Sequence, residues 1–301
     1  MDTRTRPPLV LVGPTASGKS SLAVALARSV GNAEVVSADA MAVYRKMDIG
    51  TAKPTKEDQH DIAHHLIDVV NPEDDYTMAQ FQRDVHEVLP QIKARGNVPI
   101  VVGGTGLYVQ AVVDNFEVPG SYPEVRKKLE ADPDAEKMWR QLATLDAAAA
   151  AKMEPTNHRR IVRALEVCLG SGRPFSSYGP GVDAFPPTEF TILGLDIDRS
   201  ILDERIDQRF DDQLAQGWLA EVESLRGARL SRTAARALGY GELFRHLDGE
   251  LSLDEAVTQA KRRTRRFARR QQRWFRRDPR IVWLEVGGAD LLSAALEHWP
   301  S

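Results

Sequence analysis

Cysteine and long apolar runs are nearly absent from this chain of 301 residues. Cys168 is the single cysteine, which excludes an intramolecular disulfide and favours a reducing compartment, so we expect a cytoplasmic protein. No apolar run approaches the roughly 18 residues that a membrane helix needs, and the first residues lack the apolar stretch of a signal peptide. We therefore expect no membrane association and no secretion.

Acidic residues are almost missing from one segment, residues 261–280. The segment contains Lys261, Asp278 and ten arginines, at positions 262, 263, 265, 266, 269, 270, 273, 276, 277 and 280. It therefore carries ten net positive charges, whereas the whole chain carries −3 and the remainder −13. A basic segment on an acidic body indicates a polyanionic partner. A solvated helix balanced by the acidic body is the alternative.

The apolar positions of this basic segment predict how it packs. They follow the i, i+3, i+4, i+7 spacing of one helix face, at Thr264, Phe267, Ala268, Gln271, Trp274 and Phe275. We expect one buried stripe, with most arginines on the flanks and the back of the helix. Such a helix can pack on a core and still present positive charge to a polyanionic partner.

The remainder of the chain has an ordinary globular composition. Hydrophobic residues make up 42% of the whole chain, close to the roughly 45–50% of globular proteins, which excludes a disordered, collagen-like or coiled-coil protein. Short apolar runs alternate with helical segments in the first 115 residues: strands are predicted at 9–12, 34–37 and 98–102, and helices at 19–30 and 78–95. This alternation predicts an α/β fold, a parallel sheet with helices on both faces.

Composition changes near residue 114 and changes back near residue 190. Residues 124–169 are rich in helix-forming residues and contain no strand-like run, whereas residues 191–197 and 281–286 again predict strands. Long helices are expected over 199–226, 233–247 and 254–277. The predicted domains are an α/β core of residues 1–115 and 185–301, and an inserted all-helical domain of residues 116–184.

The first predicted strand is followed by a phosphate-binding motif. Residues 13–20 match G-x-x-x-x-G-K-[ST] in full: Gly13, Pro14, Thr15, Ala16, Ser17, Gly18, Lys19 and Ser20. The glycines let backbone N–H groups surround an anion, the helix N-terminus and Lys19 add positive charge, and Ser20 can ligate Mg²⁺. The motif specifies a diphosphate group rather than a reaction, and it places the chain in the P-loop NTPase-like α/β class.

Two polar residues follow other strands of the predicted sheet. Asp39 comes shortly after the strand at 34–37, where a carboxylate can accept a proton from a substrate that faces the diphosphate. A loop aspartate that caps the next helix is the alternative. Thr105 follows the strand at 98–102, and its hydroxyl either contacts a substrate or caps the helix that starts at Gly106. This strand ends in Gly103 and Gly104 rather than in an acid, which weakens a nucleotide-hydrolase assignment.

These residues belong to a series of motifs that resembles the bacterial tRNA dimethylallyltransferase (tRNA isopentenyltransferase) family. The motifs occur in the family's order over roughly residues 9–275: GPTASGKS at 13–20, SADA at 37–40, MDIGTAKP at 47–54, HLID at 65–68, VVGGTGLY at 101–108, RIVRALE at 160–166, LGY at 238–240 and RRQQRW at 269–274. GPTASGKS and MDIGTAKP are specific together, whereas GGTGLY or LGY alone is weak.

The resemblance implies a reaction. The family transfers the dimethylallyl group from dimethylallyl diphosphate to N6 of adenosine 37, next to the anticodon, in tRNAs that read codons beginning with U. The phosphate loop would then hold a prenyl diphosphate rather than ATP. The ordinary prenyltransferase motif DDxxD is missing, because Asp74-Asp75 and Asp211-Asp212 both lack the second acidic position.

The resemblance also implies roles for single residues. Asp39 would accept the N6 proton, Thr105 would contact the target adenine, and Lys19, the loop amides and Mg²⁺ would neutralise the departing diphosphate. Arg209 matches a family arginine at the diphosphate. An ion pair of Arg209 with Asp211 or Asp212 on the surface of a helix is the alternative.

Family contacts to tRNA match three segments of this chain: Asp39, Ala40, Met41 and Ala42; Arg159, Arg160, Ile161, Val162 and Arg163; and Arg236, Ala237, Leu238, Gly239, Tyr240 and Gly241. Arg126 matches a further position. Gly241 departs from the pattern, since relatives carry arginine there, and a solvated basic face is the alternative for the middle segment. The expected partner is the tRNA anticodon stem-loop, bound by a monomer.

Two other functions fit parts of the sequence. A P-loop small-molecule kinase would bind ATP and use Asp39 to activate a hydroxyl, but it leaves the basic segment without a purpose. A non-catalytic RNA-binding module would tolerate Asp39→Ala. His60, His64 and His65 form a local cluster, for which a structural or substrate-channel role is favoured over metal binding because no cysteine or clear carboxylate set accompanies them.

Overall fold

The computed structural model describes residues 6–288 and 290–299, and it divides into two compact units. The core unit consists of the chain up to Val113 and from Pro187 onward, and the second unit is Asp114–Pro186. Among the described residues, no helix is both long and apolar enough to cross a membrane. That the second unit contacts RNA stays a prediction.

A six-stranded parallel sheet forms the centre of the core unit. Its strands are β1 (Leu9–Val12), β2 (Ala33–Ser37), β3 (His64–His65), β4 (Val98–Gly103), β5 (Thr191–Asp196) and β6 (Val282–Glu285). They lie in the order β3-β2-β4-β1-β5-β6, with every pair parallel. The predicted α/β fold and the return of the sheet after the insertion are confirmed, because β5 pairs with β1 and β6 pairs with β5.

The helices follow the sequence closely where local signals are strong. In chain order they are α1 (Lys19–Val30), α2 (Lys56–Asp61), α3 (Met78–Ala94), α4 (Gly106–Val113), α5 (Pro123–Glu130), α6 (Ala135–Leu145), α7 (Ala147–Ala150), α8 (His158–Ser171), α9 (Arg199–Ala215), α10 (Trp218–Ser224), α11 (Tyr240–Leu247), α12 (Leu253–Phe275) and α13 (Leu291–Glu297). The helix α12 begins with a capping box, in which the Ser252 side chain and Glu255 satisfy each other's backbone N–H groups.

Two long predicted helices are interrupted. The predicted helix over 199–226 breaks into α9 and α10 at Gly217, whose φ of 99° lies in the left-handed region. The predicted helix over 233–247 becomes a 3₁₀ turn at Ala234–Arg236 and then α11, with Gly239 at φ 88° between them. The periodicity of side chains across both breaks is compatible with one helix, but the backbone leaves the helical conformation at Gly217 in the first case and at Ala237 and Gly239 in the second.

The second unit has a small apolar core of its own. Leu142 from α6 and Ile161, Val162 and Leu165 from α8 are almost fully buried there. Cys168 is also buried, as its apolar helix face predicts. Burial removes the side chains of Ile161 and Val162 from the surface. A tRNA contact of residues 159–163 stays a prediction, and it would use the other side chains of this segment.

Candidate active site

The carboxyl ends of β1, β2 and β4 meet at one edge of the sheet, where they open into a cavity of about 620 Å³. The cavity is lined by Lys19 after β1, by Asp39 after β2, by Thr105 after β4 and by Arg209 from α9. Neighbouring parallel strands place the residues that follow them side by side. The residues predicted to hold a diphosphate and to contact an acceptor therefore lie on one cavity.

The phosphate loop has the backbone conformation that an anion cradle requires. Gly18 caps the N-terminus of α1 at φ 96°, and Ala16 also lies in the left-handed region at φ 64°. The Lys19 ammonium donates to the Pro14 carbonyl at 2.6 Å, which folds the side chain back over the loop. The Ser17 hydroxyl is buried without a hydrogen-bond partner among the described residues. The loop thus holds cationic and N–H groups at the start of a helix.

Two cations are desolvated in this cavity. Burial lowers the pKa of Lys19 to about 8, an effect that Asp39 opposes and Arg209 reinforces. Burial also lowers the pKa of Arg209, again against the influence of Asp39. A buried charge is costly unless an opposite charge compensates it, and Asp39 is a single carboxylate beside two cations. This balance favours binding of an anion.

Arg209 does not form an ion pair with Asp211 or Asp212, which was the alternative to a role in binding the diphosphate. Asp211 binds Lys261 at 2.6 Å, and Asp212 accepts from the Gln208 side chain at 2.8 Å. The Nε atom of Arg209 is buried and has no hydrogen-bond partner among the described residues. This donor is therefore available to a ligand that enters the cavity.

The acceptor side of the cavity is built by Asp39 and Thr105. The Asp39 carboxylate accepts from the Met41 backbone N–H at 2.8 Å, which fixes the turn after β2. The Thr105 hydroxyl accepts from the Ala40 N–H at 3.4 Å. Asp39 precedes a turn rather than a helix, so the helix-capping alternative for Asp39 is wrong. The Thr105 hydroxyl is thus bonded to the backbone of the turn that carries Asp39.

The glycines around Thr105 permit three close approaches. A Cβ atom on Gly103 would overlap the Ala38 carbonyl, one on Gly104 would overlap the Gln271 amide, and one on Gly106 would overlap the Trp274 ring. Ala38 belongs to the end of β2, whereas the other two contacts come from α12. The GGTG sequence is therefore needed because two elements pack directly onto the turn that presents Thr105.

The segment of residues 47–54 forms one wall of the cavity and is held by a residue that belongs to none of the sequence motifs. The Glu221 carboxylate accepts from the backbone N–H groups of Asp48, Ile49 and Gly50 at 2.7, 2.7 and 3.1 Å. It also accepts from the Tyr240 hydroxyl at 2.6 Å. Glu221 thus joins the MDIGTAKP and LGY motifs, and no local sequence signal could have identified it.

A buried lysine holds the same segment from its other side. The Lys53 ammonium donates to the Tyr44 carbonyl at 2.5 Å and to the carboxylates of Asp48 and Asp68, each at 2.6 Å. The Lys53 side chain is only 4% exposed. Its three donors are therefore all used in holding the wall of the cavity.

The basic segment 261–280 is less available to a partner than its charge suggests. Three ion pairs join α12 to α9: Lys261 with Asp211 at 2.6 Å, Arg265 with Asp207, and Arg269 with Asp203 at 3.1 Å. The three basic residues of α12 are spaced four positions apart, and so are the three aspartates of α9. Each set therefore lies along one face of its helix. We call these three pairs the α9–α12 ion-pair row. Arg263, Arg276 and Arg280 also pair, with Glu242, Asp196 and Asp278.

The rest of the segment divides between core and surface. Thr264, Ala268, Gln271 and Phe275 are buried, but Phe267 and Trp274 are only half-buried, which corrects the prediction of one fully buried stripe. Arg262, Arg266, Arg270 and Arg273 are exposed and have no ion pair within the described residues. These four are the arginines of α12 that the fold leaves for a partner, and Arg270 is the one of the four that lines the cavity.

The remaining candidates for tRNA contact fall into different surroundings. Ala40, Met41, Ala42, Arg236, Ala237 and Leu238 line the cavity. Gly239 and Tyr240 are buried, and Gly241 is half-buried. In the second unit, Arg159 and Arg160 are exposed, whereas Arg126 and Arg163 both approach the buried Glu166 carboxylate, at 3.6 and 3.1 Å.

The candidate metal ligands are Ser20 and the histidine cluster of His60, His64 and His65. The described residues contain no cluster of three or more histidine, cysteine, aspartate or glutamate side chains that could hold a metal. Ser20 lines the cavity, so its hydroxyl fits a Mg²⁺ whose other ligands are diphosphate and water oxygens. His65 contacts the Glu34 carboxylate at 2.6 Å, and His64 contacts the Ile62 carbonyl at 2.7 Å and lines the cavity.

Comparisons with known sequences cover almost the whole chain. Residues 42–278 match the family model of IPP transferase, and residues 9–72 match the model of isopentenyl transferase. The tRNA dimethylallyltransferase of Pelotomaculum thermopropionicum is 43% identical over 95% of this chain and 92% of its own. That of Kocuria rhizophila is 46% identical over 96% of this chain and 94% of its own.

Solved structures agree with this pattern. The tRNA isopentenylpyrophosphate transferase of Bacillus halodurans is 36% identical, with a TM-score of 0.71 over 98% of this chain and 95% of that one. A eukaryotic dimethylallyltransferase described as acting on tRNA is 27% identical, with a TM-score of 0.77 over 94% of this chain and 74% of that one.

Proposed function

Because the chain belongs to the IPP transferase family, we propose that it transfers the dimethylallyl group from dimethylallyl diphosphate to N6 of adenosine 37 in tRNA. The observation that carries the chemistry is the placement of Lys19, Arg209, Asp39 and Thr105 on one cavity. A site for a diphosphate and a carboxylate for an acceptor face each other there. Transfer from such a donor releases inorganic diphosphate and gives N6-dimethylallyladenosine.

The donor diphosphate binds in the phosphate loop. Backbone N–H groups of the loop, the N-terminus of α1 and Lys19 supply its positive surroundings. The free Nε of Arg209 gives a further donor, and a guanidinium can hold two phosphate oxygens at once. These groups neutralise the charge that grows on the diphosphate as its bond to the allylic C1 breaks.

The acceptor adenine enters from the side of Asp39 and Thr105. Its exocyclic amine is a weak nucleophile because the lone pair is delocalised into the ring. As N6 forms its bond to C1, the Asp39 carboxylate takes the N6 proton, and the electron pair of the C1–O bond leaves with the diphosphate. The Thr105 hydroxyl orients the adenine, which must first leave its stack in the anticodon loop.

Mg²⁺ is the proposed cofactor. Bound to the diphosphate and to the Ser20 hydroxyl, it would supply charge stabilisation for the leaving group. No dedicated carboxylate cage is needed for this, since Mg²⁺ often keeps several waters and binds through substrate phosphates.

The RNA contacts of this proposal lie around the mouth of the cavity and on the second unit. Arg236 is exposed and lines the cavity, and Arg159 and Arg160 are exposed on α8. Phosphate contacts from such residues position an RNA, and its shape and splayed bases decide which RNA is used. A monomeric state and a cytoplasmic location stay predictions.

The deciding experiment supplies labelled dimethylallyl diphosphate, Mg²⁺ and unmodified tRNA with A36-A37-A38. We expect label at N6 of adenosine 37 and none in a tRNA with guanosine at position 37. Phosphorylation of a small molecule from ATP, without label in tRNA, would support the P-loop kinase instead. The variant Asp39→Ala should lose at least 100-fold in kcat with little change in tRNA affinity; equal losses in both would make Asp39 a binding residue.

A further inference from the structure

One side chain of α12 connects the donor and acceptor sides of the cavity. The Gln271 Oε1 atom accepts from the Thr15 backbone N–H at 2.8 Å, and its Nε2 atom donates to the Gly104 carbonyl at 2.8 Å. Thr15 belongs to the phosphate loop, and Gly104 immediately precedes Thr105. The Gln271 amide therefore bridges the loop that receives the diphosphate and the turn that presents the acceptor threonine.

The bridge is rigid for three reasons. Gln271 is 7% exposed, so water does not compete well for either hydrogen bond. Gly104 lets the amide approach to a distance at which no Cβ atom fits. One helical turn further along, the Trp274 ring packs on Gly106 in the same way. Both contacts come from one face of α12, and together they pack against the turn that contains Thr105.

The helix that carries Gln271 is itself tied to the donor site. The α9–α12 ion-pair row holds α12 against α9. From α9, Arg209 reaches the cavity and Arg205 donates to the Ser17 carbonyl of the phosphate loop at 3.3 Å. The phosphate loop is therefore held by both helices, and Gln271 is the contact that also reaches the acceptor side.

We propose that Gln271 is a positioning residue that sets the distance between the donor diphosphate and Thr105. This rests on the function proposed above. Group transfer requires the reacting atoms to lie roughly 3–3.5 Å apart, and a misplacement of about 1 Å can cost on the order of 100-fold in rate. Gln271 also accepts from the Thr15 N–H, which removes that group of the loop from those that can bind the anion.

The first test removes the bridge without changing side-chain length. Gln271→Met loses both hydrogen bonds, and Gln272→Met is the matched control because Gln272 donates to Ile197, outside the phosphate loop. We expect Gln271→Met to lower kcat at least tenfold with the KM for tRNA within about twofold of wild type. Gln272→Met should keep both values within about twofold. A wild-type kcat in Gln271→Met overturns the proposal.

A second measurement does not depend on activity. Hydrogen exchange of the Thr15 amide in the full chain without substrate should be at least tenfold faster in Gln271→Met than in Gln272→Met. Unchanged exchange at Thr15 would mean that the bridge does not form. Faster exchange with an unchanged kcat would make Gln271 structural only, and would overturn the positioning role.

A third variant tests the proposal in case Gln271→Met simply destabilises the protein. Gln271→Glu keeps an acceptor for Thr15 but loses the donor for Gly104, so we expect Thr15 protection to survive while kcat falls at least tenfold. A wild-type kcat in this variant contradicts the proposal. If the wild-type protein does not prenylate tRNA, the proposed function fails, whereas the exchange data still report on the bridge.

Discussion

At the scale of single residues, the cavity is defined by two cations that share one carboxylate. Lys19 and Arg209 are both desolvated, and burial lowers the pKa of each. The Arg209 Nε atom has no partner in the described protein. Such an arrangement is unfavourable in the empty protein and becomes favourable when a polyanion enters, because the ligand supplies the missing counter-charge. Two residues far apart in sequence thus form the cationic part of the proposed diphosphate site.

This electrostatic state predicts an alkaline limb in the pH profile. Because the pKa of Lys19 is lowered to about 8, the free enzyme loses this cation as the pH rises through that value. The kcat/KM for dimethylallyl diphosphate should therefore fall above about pH 8, by up to about tenfold per pH unit. Below that pH, Lys19 stays protonated, so its titration should not change kcat/KM.

The neighbour of Lys19 provides the control for that limb. Arg209 lowers the pKa of Lys19, so in Arg209→Ala the limb should move to higher pH while the KM for the donor rises at every pH. A limb at the wild-type position in this variant would show that another group titrates.

At the scale of elements, the MDIGTAKP segment is a wall whose shape is set from outside. Its three successive N–H groups at Asp48, Ile49 and Gly50 point to the Glu221 carboxylate of α10, which Tyr240 of α11 also binds. A glutamine at 221 has one acceptor oxygen, and its NH₂ group would face donors. The segment therefore depends on a charged acceptor contributed by another element.

We predict that Glu221→Gln lowers the free energy of unfolding by about 2 kcal/mol. Glu223→Gln is the matched control, since Glu223 lies on the same helix and is exposed, and it should change stability by less than about 0.5 kcal/mol. Urea unfolding of both variants at pH 7 gives the comparison. Equal stabilities would contradict the assigned role of Glu221.

At the scale of the whole molecule, the basic segment has two uses. Its charge of ten net positive units is partly neutralised within the fold, chiefly by the α9–α12 ion-pair row. Arg262, Arg266, Arg270 and Arg273 remain exposed on α12, and of these four Arg270 lines the cavity. Neither alternative drawn from the sequence was therefore complete: part of the helix is balanced by the acidic body, and part is available for RNA phosphates.

This division predicts the salt dependence of tRNA binding. Each phosphate contact contributes roughly 0.7–0.9 to the slope of log K against log salt, so replacing Arg262, Arg266 and Arg273 by alanine should reduce the slope by about 2. Replacing Lys261, Arg265 and Arg269 should lower the unfolding temperature and leave the slope almost unchanged. Equal effects of both triple variants on the slope would contradict the division.

Local signals predicted a large part of the fold. The helix over residues 19–30 and the strand over residues 9–12 begin and end where the sequence indicates, because a glycine turn and the apolar pattern act within a few residues. The short strand β3 and the break at Gly217 were missed, since two residues carry no period and one glycine is tolerated in a helix pattern. Gln271 was assigned to a buried stripe, but its two hydrogen-bond partners were not foreseeable.

The sequence by itself determined the phosphate loop, the α/β alternation and the candidates Asp39 and Thr105, because motif and periodicity are local properties of the chain, whereas Arg209 was a candidate through the resemblance to the family. The tertiary structure decided which of these residues meet, which arginines remain exposed, and that Glu221 and Gln271 support the site. Glu221 and Gln271 contact backbone groups more than 160 residues away. A hydrogen bond of that kind arises only when packing brings two elements together, and no pattern along the chain encodes it.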